Sequence, residues 1–168
     1  MDRKITGKQP NSKMCFICGL KNNMGLKAAF YETDKNELIA VFKPSQEHQG
    51  YPGRLHGGIA AAILDETIGR TVTIGKDADI WGVTLEFSIK FKKPIPLEEK
   101  LRVVAKLTED NRRIFKGTGE IVLPDGEVAA VGDGKYMKLP IEKITDFDKD
   151  ENEWRVVSSS DDPDMIQI

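Results

Sequence analysis

The chain is predicted to be an α+β domain, with one long helix lying across an antiparallel sheet of about six strands. Three observations carry this. One stretch, Ile59 to Ile68, places Ile59, Ala60, Ile63, Leu64, Thr67 and Ile68 at helical spacing. Runs on both sides of it alternate apolar and polar residues at period two, as half-buried strands do. Clusters of Asn, Asp, Gly and Pro separate those runs in the manner of hairpin turns.

Taken in chain order, Met1 to Lys13 is polar and expected to be mobile. Leu26–Tyr31 and Glu37–Phe42 read as two strands joined by the turn Thr33-Asp34-Lys35-Asn36. A Gly- and Pro-containing loop covers Pro44 to Leu55, and the helix is predicted from about His56 to about Ile74. Val83, Leu85, Phe87, Ile89 and Phe91 then alternate with Thr84, Glu86, Ser88 and Lys90, which puts the first set on one face of a strand that Pro94 and Pro96 end. Leu101, Val103, Ala105 and Leu107 alternate again. Turns at Asn111-Arg112 and Pro124-Asp125-Gly126 bracket a further strand, and the last covers Val128 to Leu139. From Ile141 the composition becomes charged and acidic, which predicts a partly disordered tail on which Trp154 and Val156-Val157 are the candidates for docking. The expected organisation is thus a polar N-terminus at 1–13, a domain at 14–140 and a charged tail at 141–168.

Composition excludes some functions. A length of 168 residues suits one domain with a real core, and a net charge of −2 creates no field favouring nucleic acid. No apolar run approaches the length of a membrane span, and Met1-Asp2-Arg3-Lys4 is not followed by the apolar segment of a secretory signal. A cytoplasmic protein with neither nucleic-acid nor membrane partners is the expectation. Cys15 and Cys18 form a single Cys-x-x-Cys pair without two further ligands at recognisable spacing. They read as reduced thiols, so no metal and no cofactor are expected.

The chemistry concentrates at Arg54-Leu55-His56-Gly57-Gly58 and at Asp65. Glycines at a helix start let a ligand approach unpaired N–H groups carrying partial positive charge, which suits a developing oxyanion. Asp65 follows Gly57 by eight residues and falls near the same helix face, where apolar neighbours would raise its pKa and make it a better base. Alone, a Gly-Gly pair is a tight turn and a helical Asp is a solvated residue. Together on an apolar helix they point to a hydrolytic site. Glu66 is a second choice of base, a quarter-turn away.

These residues, with Cys15-Phe16-Ile17-Cys18-Gly19-Leu20, the loop His48-Gln49-Gly50-Tyr51-Pro52-Gly53, Thr84 and Lys92-Lys93-Pro94-Ile95-Pro96, resemble the hotdog-fold acyl-CoA thioesterases of the phenylacetate-pathway type. The resemblance covers roughly Cys15 to Pro140. It implies a hotdog fold, in which a curved antiparallel sheet wraps the helix, and hydrolysis of an acyl-CoA to a free acid and coenzyme A. By position it implies that the Gly57 N–H polarises the thioester carbonyl. Asp65 becomes general base or nucleophile, and Thr84 a hydroxyl reaching in from a partner subunit.

The family's sites form across a homodimer, or a dimer of dimers, so the resemblance implies a homo-oligomer. Many relatives carry an Asn where this chain has Gly50, and Gln49 is the candidate to replace its amide. His56 is expected to tether the loop to the helix start rather than to react. Gly58, Glu86, Phe91, Lys92 and the turn Asn111, Arg112 and Arg113 are implied contacts for the substrate and its phosphates. A hydroxyacyl-thioester dehydratase and a non-catalytic acyl-CoA-binding protein are the alternatives on the same fold.

Overall fold

A computed structural model describes residues 1–76 and 79–168. The strands are β1 (Asp2–Lys8), β2 (Ala29–Thr33), β3 (Leu38–Phe42), β4 (Trp81–Phe91), β5 (Leu101–Asp110), β6 (Ile114–Val122), β7 (Val128–Leu139) and β8 (Met165–Gln167). They form one sheet of eight strands in the order β4-β7-β6-β5-β3-β2-β1-β8. Every neighbouring pair is antiparallel. The helix α1 (Gly57–Arg70) lies across β3 to β7. The α+β prediction holds, with two more strands than expected.

Burial explains the arrangement. Ala60, Ile63 and Leu64 of α1 are fully buried against Phe30, Leu38, Leu101, Val103 and Ile121 from the sheet, and Ile68 is buried against Ala105, Phe115 and Tyr136. The sheet lets the helix come close where β6 carries Gly117: a Cβ there would lie 2.7 Å from Ile68 Cγ2. The predicted turns form, with Asn36 at φ 57° and Gly126 at φ 86° in the left-handed region that such turns use. The helix ends at Arg70 and continues as a short 3₁₀ turn, Thr71–Thr73, where the Thr71 hydroxyl donates back to the Ile68 carbonyl (2.6 Å).

Three expectations need correction. The strand predicted from Leu26 starts at Ala29, because Lys27 sits at φ 50° and the N–H groups of Leu26 and Ala28 donate to the Phe16 and Ile17 carbonyls instead (both 2.9 Å). The termini are not outside the sheet. β1, within the stretch expected to be mobile, pairs with both β2 and β8, and Ile5 and Ile166 pack on Tyr31 and Ile39. In the tail, Trp154 packs on Trp81 with ring centroids 4.8 Å apart.

The third correction concerns β4. Its register to β7 slips between Thr84 and Glu86, leaving Leu85 as the extra residue of a β-bulge. Phe87 and Ile89 face the core as the alternation predicts, but Leu85 is 44% exposed. Upstream of the bulge the faces exchange, so Gly82 and Thr84 turn toward the helix.

Candidate active site

The helix start is built by two histidines. His56 is the N-cap, and its Nδ1 accepts the Gly58 N–H (3.0 Å) while its carbonyl accepts the N–H groups of Ile59 and Ala60. Its own N–H donates to the His48 carbonyl (2.9 Å). His48 is buried, accepts the Ser45 N–H at Nδ1 (2.9 Å) and donates from Nε2 to the Met24 carbonyl (2.8 Å). His56 therefore tethers the loop to the helix.

The Gly57 N–H meets no acceptor among the described residues. A Cβ at Gly57 would sit 3.2 Å from Phe91 Cζ, so the Phe91 ring lies over this glycine. Gly50, where relatives carry Asn, packs with its absent Cβ 3.0 Å from His56 Cα, which leaves little room for a side chain. The Gln49 carboxamide oxygen accepts the Gly53 N–H (3.0 Å), so that amide is engaged within its own loop.

Asp65 has a different set of partners. The Thr84 hydroxyl lies 3.0 Å from Oδ1 and 3.1 Å from Oδ2, and the Tyr136 hydroxyl lies 3.0 Å from Oδ1. Thr84 and Tyr136 face each other directly in the β4–β7 ladder, so two adjacent strands deliver two hydroxyls to one carboxylate. Tyr136 is buried and stacks on Phe115 with ring centroids 4.9 Å apart. Its hydroxyl folds back over Gly134, where a Cβ would lie 2.3 Å from the oxygen. The bulge at Leu85 turns Thr84 inward.

The sequence reading put Thr84 on the opposite face and drew it from a partner subunit. In the structure it reaches Asp65 of its own chain. Tyr136 escaped the sequence reading altogether; its one signal was a large aromatic among glycines in Gly132-Asp133-Gly134-Lys135-Tyr136.

Burial lifts the Asp65 carboxyl above its usual value, and the hydrogen bonds from Tyr136 and Thr84 act in the opposite direction. Burial and the facing carboxylate push the Tyr136 phenol well up, which keeps it a donor. Glu66 is unsuited to be the base: its Oε1 accepts from Arg70 Nε and Nη2 (3.1 and 2.9 Å).

A cavity of about 960 Å³ adjoins Asp65 and is lined by Thr84, Tyr136, Arg70, Trp81 and Trp154 among others. Gly57 and Phe91 are not part of its wall among the described residues. Eight residues of α-helix separate Gly57 from Asp65, a rise of about 12 Å. The cations are also divided. Lys92 lies beside Phe91 at the helix-start end of β4 and its backbone N–H donates to Ala129. Asn111, Arg112 and Arg113 turn at the far end of the sheet, next to Ile114 and its partner Met137. Glu86 is exposed and pairs with Lys135 (3.4 Å). Within one chain, then, the acid–hydroxyl cluster and the glycine N–H belong to two separate places.

Residues 52–130 match the family profile described as Thioesterase superfamily. The mouse acyl-coenzyme A thioesterase THEM4 is 30% identical over 146 residues, which cover 85% of this chain and 62% of that protein. This chain spans less than two thirds of the length of the curated relatives it matches. A solved thioesterase superfamily protein superposes with a TM-score of 0.66 at 26% identity, covering 73% of this chain and 59% of the other. The E. coli PaaI protein from the phenylacetic acid degradation operon shares the fold, with a TM-score of 0.61 at 16% identity over 68% of this chain and 80% of that one. No helix among the described residues is long and apolar enough to cross a membrane.

Proposed function

We propose, from the match of residues 52–130 to the Thioesterase superfamily profile, that the chain hydrolyses an acyl-coenzyme A to a carboxylic acid and coenzyme A. One observation carries the reading: a half-buried carboxylate, Asp65, gripped by two hydroxyls at the wall of a large cavity. Asp65 takes a proton from water as the water oxygen attacks the thioester carbon. The carbonyl oxygen becomes an oxyanion. When the carbon–sulfur bond breaks, the coenzyme A thiolate leaves and is protonated. Thr84 and Tyr136 hold the carboxylate in place, and burial raises its basicity.

The oxyanion needs a donor about 3 Å away, and the Gly57 N–H of the same chain is about 12 Å along the helix from Asp65. The proposed site is therefore composite, with Asp65, Thr84 and Tyr136 from one copy and Gly57 from a second. The free outer edge of β4, with exposed Leu85 and Phe91 beside it, supports pairing with another copy. Two copies also allow Lys92 and the Asn111–Arg113 turn to serve one coenzyme A, although they lie far apart in a single chain.

The test is free-thiol release from short, medium, long and aryl acyl-CoAs. Asp65→Asn is expected to lower kcat by about 10²–10⁴-fold with folding intact. No turnover on any of them, or equal turnover in the variant, overturns the reading.

A further inference from the structure

The Cys-x-x-Cys pair, which the proposed hydrolysis does not use, meets a third ligand in the fold. Sγ of Cys15, Sγ of Cys18 and a carboxylate oxygen of Glu66 all lie within 4.8 Å of one another. The loop holds the two thiols ready. The turn Cys15 to Gly19 closes with the Gly19 N–H donating to the Cys15 carbonyl (2.8 Å), and the Ile17 N–H donates to Cys15 Sγ (3.3 Å). No side chain fits at Gly19, where a Cβ would lie 2.4 Å from the Cys15 carbonyl oxygen. Asn11, buried beneath the loop, donates to the Cys18 and Ala28 carbonyls (both 2.9 Å).

Glu66 is held as firmly. Arg70 occupies Oε1, which leaves Oε2 3.5 Å from Cys15 Sγ. Arg70 in turn donates to the Pro10 carbonyl (2.9 Å) and lies over the Phe30 ring, 4.1 Å from its centroid. Outer partners of this kind fix ligating groups in metal sites.

The geometry points to a site for a thiophilic divalent cation of the zinc class, bound by Cys15, Cys18 and Glu66, with its fourth position toward the cavity that all three residues line. Two thiolates and a carboxylate bring three negative charges, and the cation with Arg70 brings three positive ones, so the cluster is balanced. A pair meant only for disulfide exchange gains nothing from a carboxylate against Cys15, since that negative charge opposes thiolate formation. A metal site gains a third protein ligand from it. Three protein ligands and one open position suit zinc. The ion would tie the N-terminal loop to α1 one residue from Asp65. This inference rests on the cluster alone and is independent of the proposed hydrolysis.

The experiment uses the full chain, reduced with a phosphine, stripped with a chelator and titrated with Co²⁺. One equivalent is expected to bind with sulfur-to-cobalt charge-transfer absorption, and Zn²⁺ should displace it. Zn²⁺ should also shield both thiols of the unaltered chain from N-ethylmaleimide, a readout that needs no variant to fold. Cys15→Ser and Cys18→Ser should abolish the absorption. Glu66→Gln should weaken binding by more than the roughly 10–100-fold that loss of an outer partner costs.

Absent absorption, thiols equally reactive with and without Zn²⁺, or unchanged Co²⁺ uptake by the double serine variant overturns the site. So does a Cys15–Cys18 disulfide that forms on mild oxidation whether or not Zn²⁺ is present, which would make the pair a redox device.

Discussion

At the scale of single residues, the site turns on one hydroxyl. The Tyr136 phenol, 3.0 Å from Asp65 Oδ1, pulls the carboxyl down while burial pushes it up. A general base works only when deprotonated, so hydrolysis is expected to fail as pH falls through the Asp65 pKa, and that pKa lies above the ordinary carboxylate value. Tyr136→Phe removes one lowering influence. The acid limb of kcat/KM should therefore move to higher pH, and kcat should fall by about tenfold or more, since a hydrogen bond to a charged group is worth about 1.5–3 kcal/mol. A pH–rate profile with the limb in its wild-type place would show that Tyr136 packs in the core and does not act on Asp65.

At the scale of elements, β4 and β7 work as a pair. The Leu85 bulge re-aims Thr84, and Gly134 of β7 leaves space for Tyr136 to lie back along its own strand. Gly134→Ala tests this without touching a polar group. The new methyl would meet the Tyr136 hydroxyl at 2.3 Å, closer than any real contact, so the ring must move away from Asp65. Overpacking of this kind costs about 1–3 kcal/mol. The expected outcome is a lower midpoint in denaturant together with the acid-limb shift of Tyr136→Phe. A loss of stability with an unchanged pH profile would separate packing from catalysis.

At the scale of the whole molecule, the roughly 12 Å rise between Gly57 and Asp65 makes a definite demand. Asp65→Asn and Gly57→Val chains should each be nearly inactive, the second because the added side chain meets the Phe91 ring. Mixed, unfolded and refolded together, they should regain activity. A hetero-pair contains one site with a native Gly57 from the first chain and a native Asp65 from the second. Activity that stays at the level of the separate variants would place both residues in a site within one chain, or show that Gly57 plays no part.

Much of this was legible in the residues. The helix, its start at His56-Gly57 and the strand β7 follow from local periodicity and capping, which depend only on neighbours along the chain. Asp65 stood out because it follows Gly57 by eight residues, near the same face of an otherwise apolar helix. The rest depends on groups distant in sequence. Alternation predicted the faces of β4 correctly from Phe87 onward, but only pairing with β7 shows that Leu85 is an extra residue. Tyr136 joins Asp65 across 71 positions, and Glu66 reaches Cys15 across 51. The charged strand β1 and the three-residue strand β8 carry little signal singly; β1 is ordered by pairing with β2, and β8 by pairing with β1. Sequence alone determined the fold class and singled out Asp65 as a candidate, because both rest on local patterns along the chain. Tertiary structure decided the acid's partners and its distance from the glycine, because strand register and helical rise act only once the chain has folded.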